Sequence, residues 1–182
     1  MQIKKPRFAA GVVVAGMVLL STNNAAADDL PAAKSLTLEV QGEIQEHCSF
    51  GPIPDLALGD LMTVRGEYRR HVALDCNIPI DINVKSSNGG LANTVYPNGQ
   101  GPYKGKLGYR LSLAMPIRKP ATSVVTGTFQ SAQLTGGGTL SSNGGVALDG
   151  LELTMRFDQL RGDDALLGGD YSEVIEITVS PA

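Results

Sequence analysis

Tryptophan is absent from these 182 residues, and five tyrosines with four phenylalanines make up the whole aromatic complement. Surfaces that stack on sugar rings use such side chains heavily, so carbohydrate recognition starts from a deficit. There are only two histidines and two cysteines. They form none of the close-spaced ligand pairs that mark a zinc site. The longest apolar run is AAGVVVAGMVLL at residues 9–20. It falls short of the roughly 20 residues that a membrane-spanning helix needs. Helical periodicity is scarce after residue 27, and nothing indicates an internal repeat or an interdomain linker.

The short apolar run has a different use. Lys4, Lys5 and Arg7 precede it, and Ala25, Ala26 and Ala27 follow before Asp28. A basic start, an apolar middle and a small-residue site read as an export signal over residues 1–27. Its removal leaves 12 basic against 18 acidic residues, a net charge of −6. That balance argues against nucleic acid as a partner and against docking on, or inserting into, an anionic membrane. In an exported chain the default for Cys48 and Cys76 is one structural disulfide. Closing that loop contributes about 3–4 kcal/mol in the chain-entropy account.

Alternation with a period of two recurs instead of helical spacing. It runs through Leu36, Leu38, Val40 and Ile44, and again through Val72, Leu74 and Cys76. Ile80, Ile82 and Val84 repeat it, as do Leu107, Tyr109, Leu111, Leu113 and Met115, after which Pro116 is expected to end the strand. Residues 124–129 are a weaker candidate. Leu151, Leu153, Met155 and Phe157 alternate, and so do Tyr171, Ile175, Ile177 and Val179. Glycine-, asparagine- and proline-rich stretches at 88–102, 135–145 and 161–169 read as connections, and Pro52 and Pro54 as a short loop. Roughly seven short, half-buried strands predict an all-β antiparallel sandwich.

Candidate chemistry is thin. His47 beside Cys48, with His71 elsewhere, is a poor nucleophile–base pair once the thiol is bonded to Cys76. The RGDD at 161–164 is a solvated turn in this reading. Asp163, Asp164 and Asp170 lack the ordered spacing of a calcium loop. Gly136, Gly137 and Gly138 follow no parallel strand and open no helix, unlike a phosphate loop. No convergent catalytic constellation emerges, and the chain is not read as an enzyme.

Five stretches taken together resemble one family: GEI leading to Cys48, VALDCN (72–77), PIDINVKSSNGG (79–90), GYRLSLAM (108–115) and the closing GGDYSEVIEITVSPA (168–182). The chain resembles chaperone–usher fimbrial subunits, most closely the spore coat U-like group that includes archaic Csu-type pilins. Glu173 stands where that closing motif would carry Asp, and the chain ends in Ser180, Pro181 and Ala182 rather than in an apolar run.

The resemblance implies an incomplete immunoglobulin-like sandwich over residues 42–182, preceded by a donor-strand extension at 28–41. Such a domain lacks its last strand, which a periplasmic chaperone lends and a neighbouring subunit then replaces, by β-strand addition. The donated side chains would be Leu36, Leu38 and Val40. Gly42 and Ile44 would begin the domain's own first strand. The acceptor groove would be walled by Ile175, Ile177 and Val179, with Tyr171 anchoring that strand. Implied partners are the chaperone, an outer-membrane usher and neighbouring pilin subunits, with passage through the periplasm to a cell-surface fimbria. No cofactor is implied. The competing reading is a secreted or fimbria-associated β-sandwich that binds a surface ligand.

Overall fold

The computed structural model describes residues 35–160 and 164–182. The expected export segment 1–27 and residues 161–163 of the RGDD turn lie outside the described residues, as does part of the 28–41 extension. The chain divides into two units, Met1–Gly42 and Glu43–Ala182. In the first, the described residues 35–42 belong to no strand or helix.

The second unit is an all-β antiparallel sandwich with twelve strands among its described residues: β1 (Cys48–Phe50), β2 (Glu67–Val72), β3 (Leu74–Cys76), β4 (Pro79–Ser86), β5 (Leu91–Asn93), β6 (Lys106–Leu107), β7 (Tyr109–Lys119), β8 (Ala121–Gln130), β9 (Gly138–Ala147), β10 (Leu151–Phe157), β11 (Tyr171–Ser172) and β12 (Ile175–Pro181). The main sheet runs β12-β4-β9-β7-β10-β2, with β8 added along β7. Two small sheets, β1-β3 and β11-β5-β6, flank it. Short β7–β9 pairing, Ile117 with Ala147 and Arg118 with Val146, joins the β12-β4-β9 layer to the β8-β7-β10-β2 layer. Both layers turn their alternate residues into one core. Ile80, Ile82 and Val84 come from one side, and Leu111, Leu113 and Met115 from the other.

Several strand readings need correction. The alternation of Val72, Leu74 and Cys76 is divided between β2 and β3, which belong to different sheets, and the expected connection at 88–102 contains β5. Pro116 does not end its strand, since β7 runs on to Lys119 with Pro116 opposite Val124 of β8. The Pro116 carbonyl accepts from Leu148 N–H on the side away from β8. A strand residue's N–H points the same way as its C=O, so the missing proline donor faces that side too. There β10 pairing has already stopped at Ala114 and β9 pairing has not begun. Proline is tolerated in such a gap.

The glycine-rich 135–145 stretch, expected to be a connection, contains most of β9. A β-carbon at Gly138 would lie 2.6 Å from the Phe129 ring, so glycine lets the strand approach an aromatic side chain closely. Asn143 and Gly144 take positive φ and the β4 register slips between Pro79 and Asp81, a bulge that hides the alternation. The Ser142 hydroxyl restores the bond lost at the slip by accepting from buried Ile80 N–H at 2.9 Å.

The first strand of the domain begins at Cys48, not at Gly42 or Ile44. Ile44 is 86% exposed. Asn77 holds the segment before Cys48 by side-chain and backbone bonds instead. It accepts from His47 N–H at 2.8 Å, donates to the Gln45 carbonyl at 2.8 Å, and its own N–H reaches the His47 carbonyl. A polar bridge therefore replaces the expected ladder. Cys48 and Cys76 are disulfide-bonded and paired in register across β1 and β3.

Candidate functional site

β12 and β2 end the main sheet, each hydrogen-bonded to one neighbour. An end strand leaves alternate N–H and C=O groups unpaired along its free edge. Register places Ile175, Ile177 and Val179 opposite Ser86, Val84 and Ile82 of β4, hence on the core-facing side. Those β4 residues are buried, yet the three β12 side chains are only half-buried. The core is thus incompletely covered along β12.

A cleft of about 460 Å³ opens there. Ile175 and Ile177 form one wall, and Tyr68 and Arg70 of β2 with Leu153 and Met155 of β10 form the opposite one. Tyr171, Glu173 and Leu91 close one end. Val179 shares the β12 face but does not line the cleft. Phe157 lies in the floor, edge-on to Tyr68 at 5.7 Å and to Tyr109 at 6.3 Å. The walls are mainly apolar, with Arg70 and Asp55 at the mouth.

Two polar groups at the closed end have distinct roles. Glu173 is a clasp. Its carboxylate accepts from Ser86 Oγ at 3.0 Å and from the backbone N–H groups of Ser87, Asn88, Gly90 and Val174 at 2.8–3.1 Å. It ties the turn after β4 to the start of β12. Tyr109 is buried, and among the described residues its hydroxyl has no hydrogen-bond partner, although Ser86 and Glu173 lie close by. Burial, opposed by Ser86 and reinforced by the Glu173 charge, pushes its pKa up to about 12. Tyr171, expected to anchor the closing strand, lies instead in β11, paired with Asn93 of β5 in a separate sheet, and its hydroxyl donates to the Leu167 carbonyl at 2.7 Å.

The residues expected to be donated present the complementary pattern. Leu36, Leu38 and Val40 are 95%, 81% and 82% exposed. Three aliphatic side chains at alternate positions on an unpaired segment form one apolar face with no cover of their own.

The remaining candidates lead elsewhere. Cys48 and Cys76 are bonded to each other, His47 lies 3.7 Å from Asp75, and His71 lies 3.9 Å from Glu152. Asp164 pairs with Lys104 at 2.6 Å, while Asp163 lies outside the described residues. Among the described residues no group of three or more His, Cys, Asp or Glu side chains is placed to hold a metal ion.

Sequence reasoning overlooked the segment between β1 and β2. Ile53, Asp55, Leu56 and Leu58 also line the cleft, with Leu56 and Leu58 half-buried against the core. The alternation of Leu56 and Leu58 was the available signal, masked by the prolines just before it. No protein-family model matches the chain, and no curated protein matches it.

Proposed function

We propose that this chain is a structural subunit of a surface fibre, linked to its neighbours by strand donation. Residues 36–40 of one copy enter the β12–β2 cleft of the next, adding the strand that completes an immunoglobulin-like sandwich. The observation carrying this reading is the pairing of features within one chain. An open apolar cleft lies between two unpaired strand edges, and an exposed segment carries aliphatic side chains at strand spacing. Backbone bonds to the free edge would supply affinity, and the alternating side chains would set register. Burying Leu36, Leu38 and Val40 contributes about 5–9 kcal/mol before ordering costs.

The resemblance to spore coat U-like pilins supplies the rest of the proposal. A periplasmic chaperone covers the cleft until an outer-membrane usher joins subunits, and the product is a cell-surface fimbria that serves in adhesion. The work is mechanical and involves no chemical step. Removing residues 28–41 while keeping the export segment tests it. The shortened chain is expected to fold with a co-expressed chaperone and to stop polymerising, and normal polymerisation would sink the donor-strand assignment.

A further inference from the structure

The cleft already holds something of its own. Residues 53–58 lie along it, with Leu56 and Leu58 half-buried among core side chains and Ile53 at the mouth. This cover is made by side chains alone. The segment carries no strand, and its nearest backbone bonds fall outside it, from Gly51 N–H to the Ala73 carbonyl and from Thr63 N–H to the Asp60 carbonyl. Among the described residues, no hydrogen bond is made by the backbone of 52–59. Its chemistry forbids better. Pro52 and Pro54 lack N–H groups on one side of a strand, so this stretch cannot make full ladders with edges on both of its sides, as β12 and β2 would require. Gly59, at φ +69°, then turns the chain away.

Resting on the donor-strand reading above, we propose that residues 53–58 are a built-in plug, which shields the acceptor cleft of a free subunit and is displaced by the donated strand of a second copy. The two occupants differ in what they offer the edges of β12 and β2. The plug covers apolar surface while leaving the edge groups unpaired. Residues 35–41 contain no proline, so every position brings an N–H as well as a carbonyl. The incoming strand supplies the bonds that the plug withholds, which gives the exchange its direction. The plug also limits exposed apolar surface before assembly, which lowers the hazard of an open groove.

The test uses the full chain with Leu38→Asp, which silences its own extension, and a fluorescein-labelled synthetic peptide of residues 35–42. Uptake is followed by anisotropy with and without the double substitution Leu56→Ser and Leu58→Ser. Weakening the plug is expected to speed uptake about tenfold, equivalent to about 1.4 kcal/mol of barrier. Limited chymotrypsin digestion of the chain with an intact plug provides a second readout. Saturating peptide is expected to make cleavage after Leu56 and Leu58 faster, and this arm decides alone where the double variant does not fold. Peptide bound at equal rates, or cleavage slowed by the peptide, overturns the plug while leaving strand donation intact. Peptide bound by neither form removes the donor-strand reading and the plug with it.

Discussion

Replacing Leu38 by alanine in the segment proposed to be donated tests the alternation itself. Leu38 is 81% exposed in the free extension and central in the row of three. In the cleft it would be packed on both sides by neighbours two residues away. Truncating a buried leucine to alanine costs about 2–5 kcal/mol, and a shallow groove that can partly collapse belongs at the lower end. About 2.7 kcal/mol corresponds to roughly 100-fold in Kd. Glu39 is the control, because it lies on the opposite face of the same strand and would stay in water. Glu39→Ala is expected to change Kd less than about threefold, in line with surface substitutions. Competition between the two variant peptides and a labelled wild-type peptide on the full chain measures both. Equal loss from the two substitutions, or a larger loss from Glu39→Ala, would refute the placement of Leu36, Leu38 and Val40 toward the core.

Three further outcomes follow from the domain. Cys48→Ser with Cys76→Ser is expected to cost about 3–4 kcal/mol in denaturant unfolding, and treatment with reductant should reproduce the loss in the unsubstituted chain. Glu173→Ala unties five donors at once and is expected to cost about 2–4 kcal/mol, with faster hydrogen exchange at the amides of Ser87, Asn88 and Gly90. Tyr109 has a folded pKa near 12 against 10.0 in the unfolded chain, so its contribution is complete below pH 10 and is lost as pH rises toward 12. Ultraviolet titration should show one tyrosine ionising late. Tyr109→Phe should flatten that part of the stability profile at little cost, because no hydrogen bond is removed.

Local pattern was enough to find β10 and β12, whose alternation is uninterrupted and whose core-facing residues are the ones that read as apolar. It failed where the ladder is irregular. In β9 the buried positions are Leu140, Ser142, Gly145 and Ala147, so a serine and a glycine interrupt the apolar row and a bulge breaks the period. In β7 a proline is harmless only because of which neighbour happens to be missing beside it. Ile44 continues the alternation of Leu36, Leu38 and Val40, yet its segment is held by an asparagine side chain that no periodicity encodes. The candidate site was legible in the same uneven way. The exposed row at 36–40 and the Ile175–Ile177 wall lie on single segments and could be read directly. The opposite wall from Tyr68 to Met155, the unpartnered Tyr109 hydroxyl and the cover from Leu56 and Leu58 arise from packing between distant segments. Glu173 was visible as an unusual residue, but its five bonds depend on how the turn after β4 folds back.

The most direct test is to mix two batches of the chain, one with 13C-methyl isoleucine and one with 13C-methyl leucine. After assembly, solid-state NMR is recorded for contacts between copies. The account predicts cross-peaks from Leu36 and Leu38 methyls to Ile175 and Ile177 methyls in the mixed fibre. Assembly without such inter-copy contacts would contradict strand donation through the β12–β2 cleft.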